Sequence, residues 1–104
     1  MVAVRVELCG RLIKPPALRV TPAGVAVAHL IVDCGERPGE LAMAVVFTGE
    51  EARTLAATFK DGQAVNVRGV LHARGGTNRE GGLRTPRFEV LAHEVTAAGG
   101  KPRN

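Results

Sequence analysis

Residues 45–72, VVFTGEEARTLAATFKDGQAVNVRGVLH, join a strand pattern to a helix pattern and then to a second strand pattern. Thr48 and Glu51 have the spacing of a capping box, in which each side chain satisfies a backbone N–H at the helix start. The apolar residues that follow share one helical face: Ala52, Leu55, Ala56 and Phe59. Gly62 favours the left-handed conformation that ends a helix. The stretch therefore predicts one short helix between two strands.

Strand patterns lie on both sides of this unit. Residues 2–13 alternate apolar and polar positions, as a half-buried strand does. Gly10 inside that run favours a bulge or bend, such as one where a sheet coils into a small barrel. The prolines at positions 15 and 16 then end the strand, because neither can donate an N–H to the ladder. The predicted strands are residues 2–13, 25–34, 41–47, 63–72 and 87–95.

The order of these elements is three strands, a helix and two strands. One long loop follows the first strand, and a glycine-rich loop at 73–86 separates the last two. This order is that of an OB-fold, a five-stranded Greek-key barrel that binds oligonucleotides across its second and third strands. We therefore predict an all-β chain with one short helix, forming an OB-fold over residues 1–96. Residues 97–104 are expected to form a flexible basic tail.

The composition excludes several classes of protein. With 104 residues and 45% hydrophobic content, the chain predicts one globular domain. It has no apolar run long enough to span a membrane, and its N-terminus lacks the pattern of a signal peptide, so a cytoplasmic location is expected. Cys9 and Cys34 do not have the spacing of a metal site. Free buried thiols are favoured over a disulfide in a reducing compartment, although the pairing stays open.

Positive charge is concentrated in the second half of the chain. Residues 1–52 carry five Lys or Arg against six Asp or Glu, whereas residues 53–104 carry nine against four. This asymmetry indicates a polyanionic partner such as nucleic acid. Lysine and arginine bind phosphate, and arginine also stacks on bases. The candidate binding residues are Lys14, Arg19, Arg74, Arg79, Arg84 and Arg87, with the last two favoured.

Catalytic chemistry has no support in the sequence. The three histidines, His29, His72 and His93, have neither metal-ligand spacing nor a neighbouring nucleophile motif. The glycine-rich loop fits neither a P-loop nor a dinucleotide-binding pattern. We predict no enzyme activity, no metal and no cofactor.

Three stretches resemble bacterial single-stranded-DNA-binding proteins. The stretches are RVELCGRLIKPPALRVTPAGVAVAHLIVD, VVFTGEEARTLAATFKDGQAVNVRGVL and FEVLAHEV, and together they cover about residues 4–96. The full-length members of that family continue into a tail with an acidic end, whereas this chain ends in the basic GGKPRN. It is therefore most similar to the primosomal replication protein N family. That resemblance implies a homodimer that binds single-stranded DNA and bridges the primosomal helicase and other replication restart proteins.

The aromatic residues depart from the family pattern. Single-strand binders stack bases on aromatic side chains, but this chain has no Trp or Tyr and three Phe. Thr48 and Ala42 occupy positions where the resembling family has stacking aromatics. Phe47, Phe59 and Phe88 stand among apolar neighbours and are expected in the core. Binding should therefore depend mainly on phosphate contacts. Arg87 matches a basic residue of the family at the start of the last strand.

Three other functions remain open from the residues. The first is a truncated general single-stranded-DNA-binding protein, expected as a tetramer. The second is a basic adaptor that docks an acidic peptide and has weak affinity for nucleic acid. The third is an RNA-binding barrel.

Overall fold

The computed structural model describes residues 3–74 and 87–98, which form six strands and one helix. In chain order the elements are β1 (Arg5–Leu12), β2 (Ala17–Val20), β3 (Ala26–Asp33), β4 (Ala42–Thr48), α1 (Glu50–Thr58), β5 (Ala64–Arg74) and β6 (Arg87–Ala97). The predicted order of three strands, a helix and two strands is confirmed, with β2 added. The strand β6 includes Ala97, and residues 99–104 of the expected tail lie outside the described residues.

Five of the strands close into a barrel. β1 pairs with β5, β5 with β6, β6 with β4 in parallel, and β4 with β3. The barrel closes where the end of β1 meets the end of β3, through the pairs Arg11–Asp33 and Leu12–Val32. This is the predicted OB-fold barrel.

Strand β2 corrects the prediction of a long loop after β1. Its four residues pair antiparallel with β3, from Ala17 opposite His29 to Val20 opposite Ala26. The prolines at 15 and 16 do end β1, but the residues after them keep their N–H groups and form a ladder. The predicted turn at residues 21–24 joins the two strands, and its Thr21 N–H donates to the Val25 carbonyl oxygen at 2.9 Å. Arg19 therefore lies on a strand and not on a loop.

The interior of the barrel is filled by aliphatic side chains from every barrel strand. Strand β3 shows the alternation clearly, because Ala26, Ala28, Leu30 and Val32 are buried while His29 between them is exposed. The helix contributes Ala52 and Leu55 to the same core. The other buried apolar residues are Leu12, Val45, Phe47, Val65, Val67 and Val90. Phe47 is thus in the core as predicted, and the half-buried Phe59 packs against it.

Gly10 immediately precedes Arg11, the residue of β1 that pairs with both β5 and β3. A Cβ atom at this position would overlap the Asp33 carbonyl oxygen and lie 2.8 Å from Cγ1 of Val32. Only a residue without a side chain lets the two strands approach this closely. Gly10 therefore marks a close approach to β3, while the ladder with β5 continues through Gly10 and Arg11 without the register shift of a bulge.

The start of the helix differs from the prediction. Thr48 is the last residue of β4 and pairs with Val27. The N-cap is Gly49, with φ 113°, and no side chain caps the helix. The predicted capping box at Thr48 and Glu51 is wrong because β4 extends one residue further than expected and holds Thr48 in its ladder. Glu50 and Glu51 still lie in the first turn, where negative charge is favourable.

Replacing Thr48 with alanine is therefore expected to change the free energy of unfolding by no more than about 0.5 kcal/mol, as for other surface substitutions. The side chain is exposed and makes no capping hydrogen bond. Thermal melting checks this. A loss near the upper end of the roughly 0.5–2 kcal/mol that a capping threonine contributes would contradict this account of the helix start.

Candidate nucleic-acid interface

The six predicted binding residues fall into three groups. Lys14 is exposed just after β1, and Arg19 is exposed on β2. Arg74 ends β5 and Arg87 begins β6, and the two are register partners. Arg79 and Arg84 lie outside the described residues. The structure thus brings Arg74 and Arg87 together at one end of a hairpin, while Lys14 and Arg19 lie on a separate segment that flanks β3.

The β5–β6 hairpin extends beyond β4, the strand that pairs with β6. β4 pairs with β6 only from Glu89 to Ala92, whereas the β5–β6 ladder continues to Phe88 and Arg87. Among the described residues, these first two positions of β6 therefore have a neighbouring strand on one side only. Their other edge is free.

The two faces of this hairpin end carry different chemistry. Val90 points into the core and is opposite Leu71, and the next pair on that face is Phe88 with Ala73. On the other face, Nδ1 of His72 lies 3.2 Å from Oε2 of Glu89. Because side chains alternate along a strand, Arg87 lies on the same face as Glu89. The inner face is thus apolar and the outer face is charged.

Phe88 is exposed, which corrects the prediction that it belongs to the core. Half of its surface, 50%, is accessible, against 6% for Phe47. Phe88 lies on the same face of β6 as Val90. It precedes Glu89, the first residue of β6 that pairs with β4, so β4 does not cover it. The available signal in the sequence was its place beside Arg87 at the end of the glycine-rich loop.

The outer face of the barrel below this end has balanced charge. Arg68 on β5 lies 3.4 Å from Glu7 on β1 and 3.5 Å from Glu94 on β6. Arg11 donates a hydrogen bond from Nη1 to the Gly62 carbonyl oxygen at 3.2 Å. Neither arginine is among the predicted binding residues. Both already have partners within the chain: Glu7 and Glu94 for Arg68, and the Gly62 carbonyl for Arg11.

The β3–β4 connection is organised by one carboxylate. Asp33 accepts hydrogen bonds from the N–H of Gly39 at 2.6 Å and of Gly35 at 3.2 Å. Both hydrogen bonds lower the pKa of Asp33 below its usual value, and the bond from Gly39 has the larger effect.

The two cysteines differ in their surroundings. Burial raises the pKa of the Cys34 thiol. Both cysteines are free, as expected, although Cys9 is exposed and not buried.

Two further positions on β4 and two properties of the described residues complete the description of the site. Thr48 and Ala42, which replace family aromatics, are exposed at the two ends of β4. Within residues 3–74 and 87–98, no group of three His, Cys, Asp or Glu side chains is placed to bind a metal ion. Over the same ranges, no helix is long and apolar enough to cross a bilayer.

Comparison with known proteins relates this barrel to one family. Residues 3–98 match the sequence model of the single-strand binding protein family. A single-stranded DNA-binding protein of Halalkalibacterium halodurans is 36% identical over 99 residues, which cover 88% of this chain and 58% of the relative. That of Bacillus cereus is 38% identical over 110 residues, covering 96% and 61%. Single-stranded DNA-binding protein 3 of Listeria innocua is 37% identical over 101 residues, covering 88% and 61%. The chain thus spans between 58% and 61% of the length of these relatives.

Proposed function

The chain belongs to the single-strand binding protein family, and from this premise we propose that it binds single-stranded DNA. The observation that carries the proposal is the extent of the family match, which runs through all six strands and the helix. Proteins of this family bind DNA and do not catalyse a reaction, and the chain is not an enzyme. A cytoplasmic location is part of the proposal.

The geometry supports a contact with phosphates at the end of the β5–β6 hairpin where β5 finishes at Arg74 and β6 begins at Arg87. Arg87 is exposed there, opposite Arg74 in the ladder, and the predicted residues Arg79 and Arg84 belong to the segment that joins the two strands. Lys14 and Arg19 supply a second group of exposed cations. Phosphate contacts position a strand without reading its sequence. Binding should therefore be largely independent of sequence and sensitive to salt.

A general single-stranded-DNA-binding role is favoured over the replication restart role. The relatives are all named single-stranded DNA-binding proteins, and none of these names refers to a primosome. The narrower proposal, that the chain bridges the primosomal helicase and other restart proteins, is supported by the sequence resemblance alone. Co-sedimentation with the restart helicase would separate the two, because only the restart role requires a stable complex.

A homodimer is part of the proposal, and the free edge of β1 supports it. Among the described residues, Arg5 to Gly10 pair with β5 on one side only, since β3 reaches just Arg11 and Leu12. Unpaired strand edges are templates for pairing with another chain. β3 is a poorer candidate because β4 lies on one side of it and β2 and β1 on the other.

We expect a mass in solution of twice the 10.9 kDa chain at micromolar concentration. Sedimentation equilibrium measures it directly. A monomer or a tetramer would contradict the dimer, and a tetramer would in addition be the assembly expected for the general role favoured above.

The test of binding is a titration of labelled oligo-dT at several salt concentrations, on a sample of known mass. We expect binding at low salt that weakens steeply as salt rises. An RNA strand of matched length is the competitor, and tighter binding of it would favour an RNA-binding barrel. If nothing binds at low salt, the adaptor that docks an acidic peptide becomes the better explanation.

A further inference from the structure

The geometry points to Phe88 as a base-stacking residue, with the DNA strand crossing the free edge of β6 between Phe88 and Arg87. The inference rests on the proposed binding of single-stranded DNA and adds to it a specific contact with the bases. It adds one stacking contact to the expectation that binding depends mainly on phosphate contacts.

Phe88 is distinguished from the other two aromatic residues by its surroundings. Phe47 is enclosed in the barrel, and Phe59 packs against the core beside the helix. Phe88 is half exposed on the inner face of the hairpin end, and its partner across the ladder is Ala73. The small methyl group of alanine leaves a face of the ring uncovered. A flat base can lie on such a face, and any base will do so because every base has a π-face.

Arg87 provides the second half of the contact. It precedes Phe88 in the strand, so the two side chains point to opposite faces of the hairpin. At this level β4 no longer pairs with β6, so within residues 3–74 and 87–98 no strand pairs with the edge between the two faces. In a single strand the bases and the phosphates lie on opposite sides of the sugar. A strand crossing this edge would place a base on the ring and a phosphate near the guanidinium.

The arrangement selects unpaired bases. A base in a duplex is stacked on its neighbours, and its faces are not available to the ring. The same ring could instead contact a second copy of this chain, since it is apolar and exposed. A change in mass on replacing Phe88 would reveal that contact.

The first experiment uses the absence of Trp and Tyr from the chain. Phe88→Trp introduces a single fluorophore at the proposed site, and we expect oligo-dT to quench its emission on binding. Leu91→Trp is the matched control, because Leu91 is 37% exposed and three residues along the same strand, at a position where β4 lies alongside. It should bind oligo-dT without comparable quenching. Equal quenching in both variants, or in neither while both bind, would overturn the inference.

The second experiment separates the base from the backbone. Phe88→Ala should weaken binding of oligo-dT by about 5- to 150-fold, the range measured for loss of one stacking aromatic. Binding of an abasic oligomer of the same length should change less than about twofold, because it offers phosphates and no bases. Thermal melting and sedimentation confirm that the variant keeps its fold and its mass.

The outcomes distinguish this inference from the proposed function. If the wild-type protein binds oligo-dT and Phe88→Ala binds it equally well, the stacking contact is wrong and the function stands. An equal loss on both oligomers, or a change in mass, assigns Phe88 to the fold or to a subunit contact and overturns the inference. If the wild-type protein does not bind oligo-dT, the function itself fails.

Discussion

Replacing Arg74 and Arg87 together by alanine is expected to weaken oligo-dT binding about 60-fold at about 50 mM salt. Each phosphate contact contributes about 0.7 to the slope of log affinity against log salt for a single strand, so two contacts contribute about 1.4. The two salt plots should meet near 1 M, where counterion release no longer favours binding, and diverge as salt falls. The slope itself should be about 1.4 units shallower in the variant.

A matched variant removes the same charge elsewhere. Arg37 and Arg53 are exposed and lie outside the proposed interface, and replacing both by alanine lowers the formal charge from +4 by the same two units. We expect this variant to keep most of the slope. If the two double variants lose affinity equally, net charge and not the hairpin end governs binding. An unchanged slope in the Arg74 and Arg87 variant would remove these residues from the site.

Replacing Gly69 by alanine is expected to destabilise the barrel by about 3 kcal/mol, at the upper end of the cost of overpacking. Gly69 is the buried residue of β5 at which the ladder with β6 shifts register, with Arg68 opposite Glu94 and Gly69 opposite Ala92. A Cβ atom here would overlap the Leu91 carbonyl oxygen and lie 2.8 Å from the Ala92 Cα. These are backbone atoms, so no rotamer change relieves the overlap.

The expected fall in melting temperature is about 12–24 °C, at 4–8 °C per kcal/mol for a domain of this size. Gly24→Ala is the control, because Gly24 has a positive φ of 89° but open space around the Cβ position. It should cost only the left-handed strain of about 1 kcal/mol. Gly69 does not have a positive φ, so equal losses in the two variants would mean that β6 shifts to accept the methyl group and that the close approach does not require glycine at position 69.

The arginine variant should change DNA affinity, whereas the Gly69 variant should change the stability of the barrel. Arg87 is exposed at the end of the hairpin, whereas Gly69 lies five residues before the end of β5, inside the ladder. A loss of affinity in the arginine variant with an unchanged melting temperature would therefore report on the interface alone.

The order of the helix and the five barrel strands could be predicted from local sequence patterns, and so could most of the core. The alternation in residues 2–13 and the helical spacing of Ala52 and Leu55 are local patterns, and each records which side of an element meets the barrel interior. Residues 25–34 are apolar at both parities in the sequence, whereas β3 fully buries only alternate positions. Gly10 was also recognisable as a special position, because a glycine within a strand pattern can mark a bulge, a bend or a close approach of another backbone. The structure shows the close approach, to Val32 and Asp33 of β3.

Tertiary structure decided the features that depend on where one strand stops covering another. Phe88 continues the apolar alternation of Val90 and Ala92, yet it is exposed because pairing with β4 ends at Glu89. Thr48 has the spacing of a helix cap, but the ladder with β3 retains it in β4. The four residues of β2 carry no strong strand pattern and are ordered by pairing with β3. In each case a long-range pairing sets the local environment, and no window of sequence around the residue contains that information.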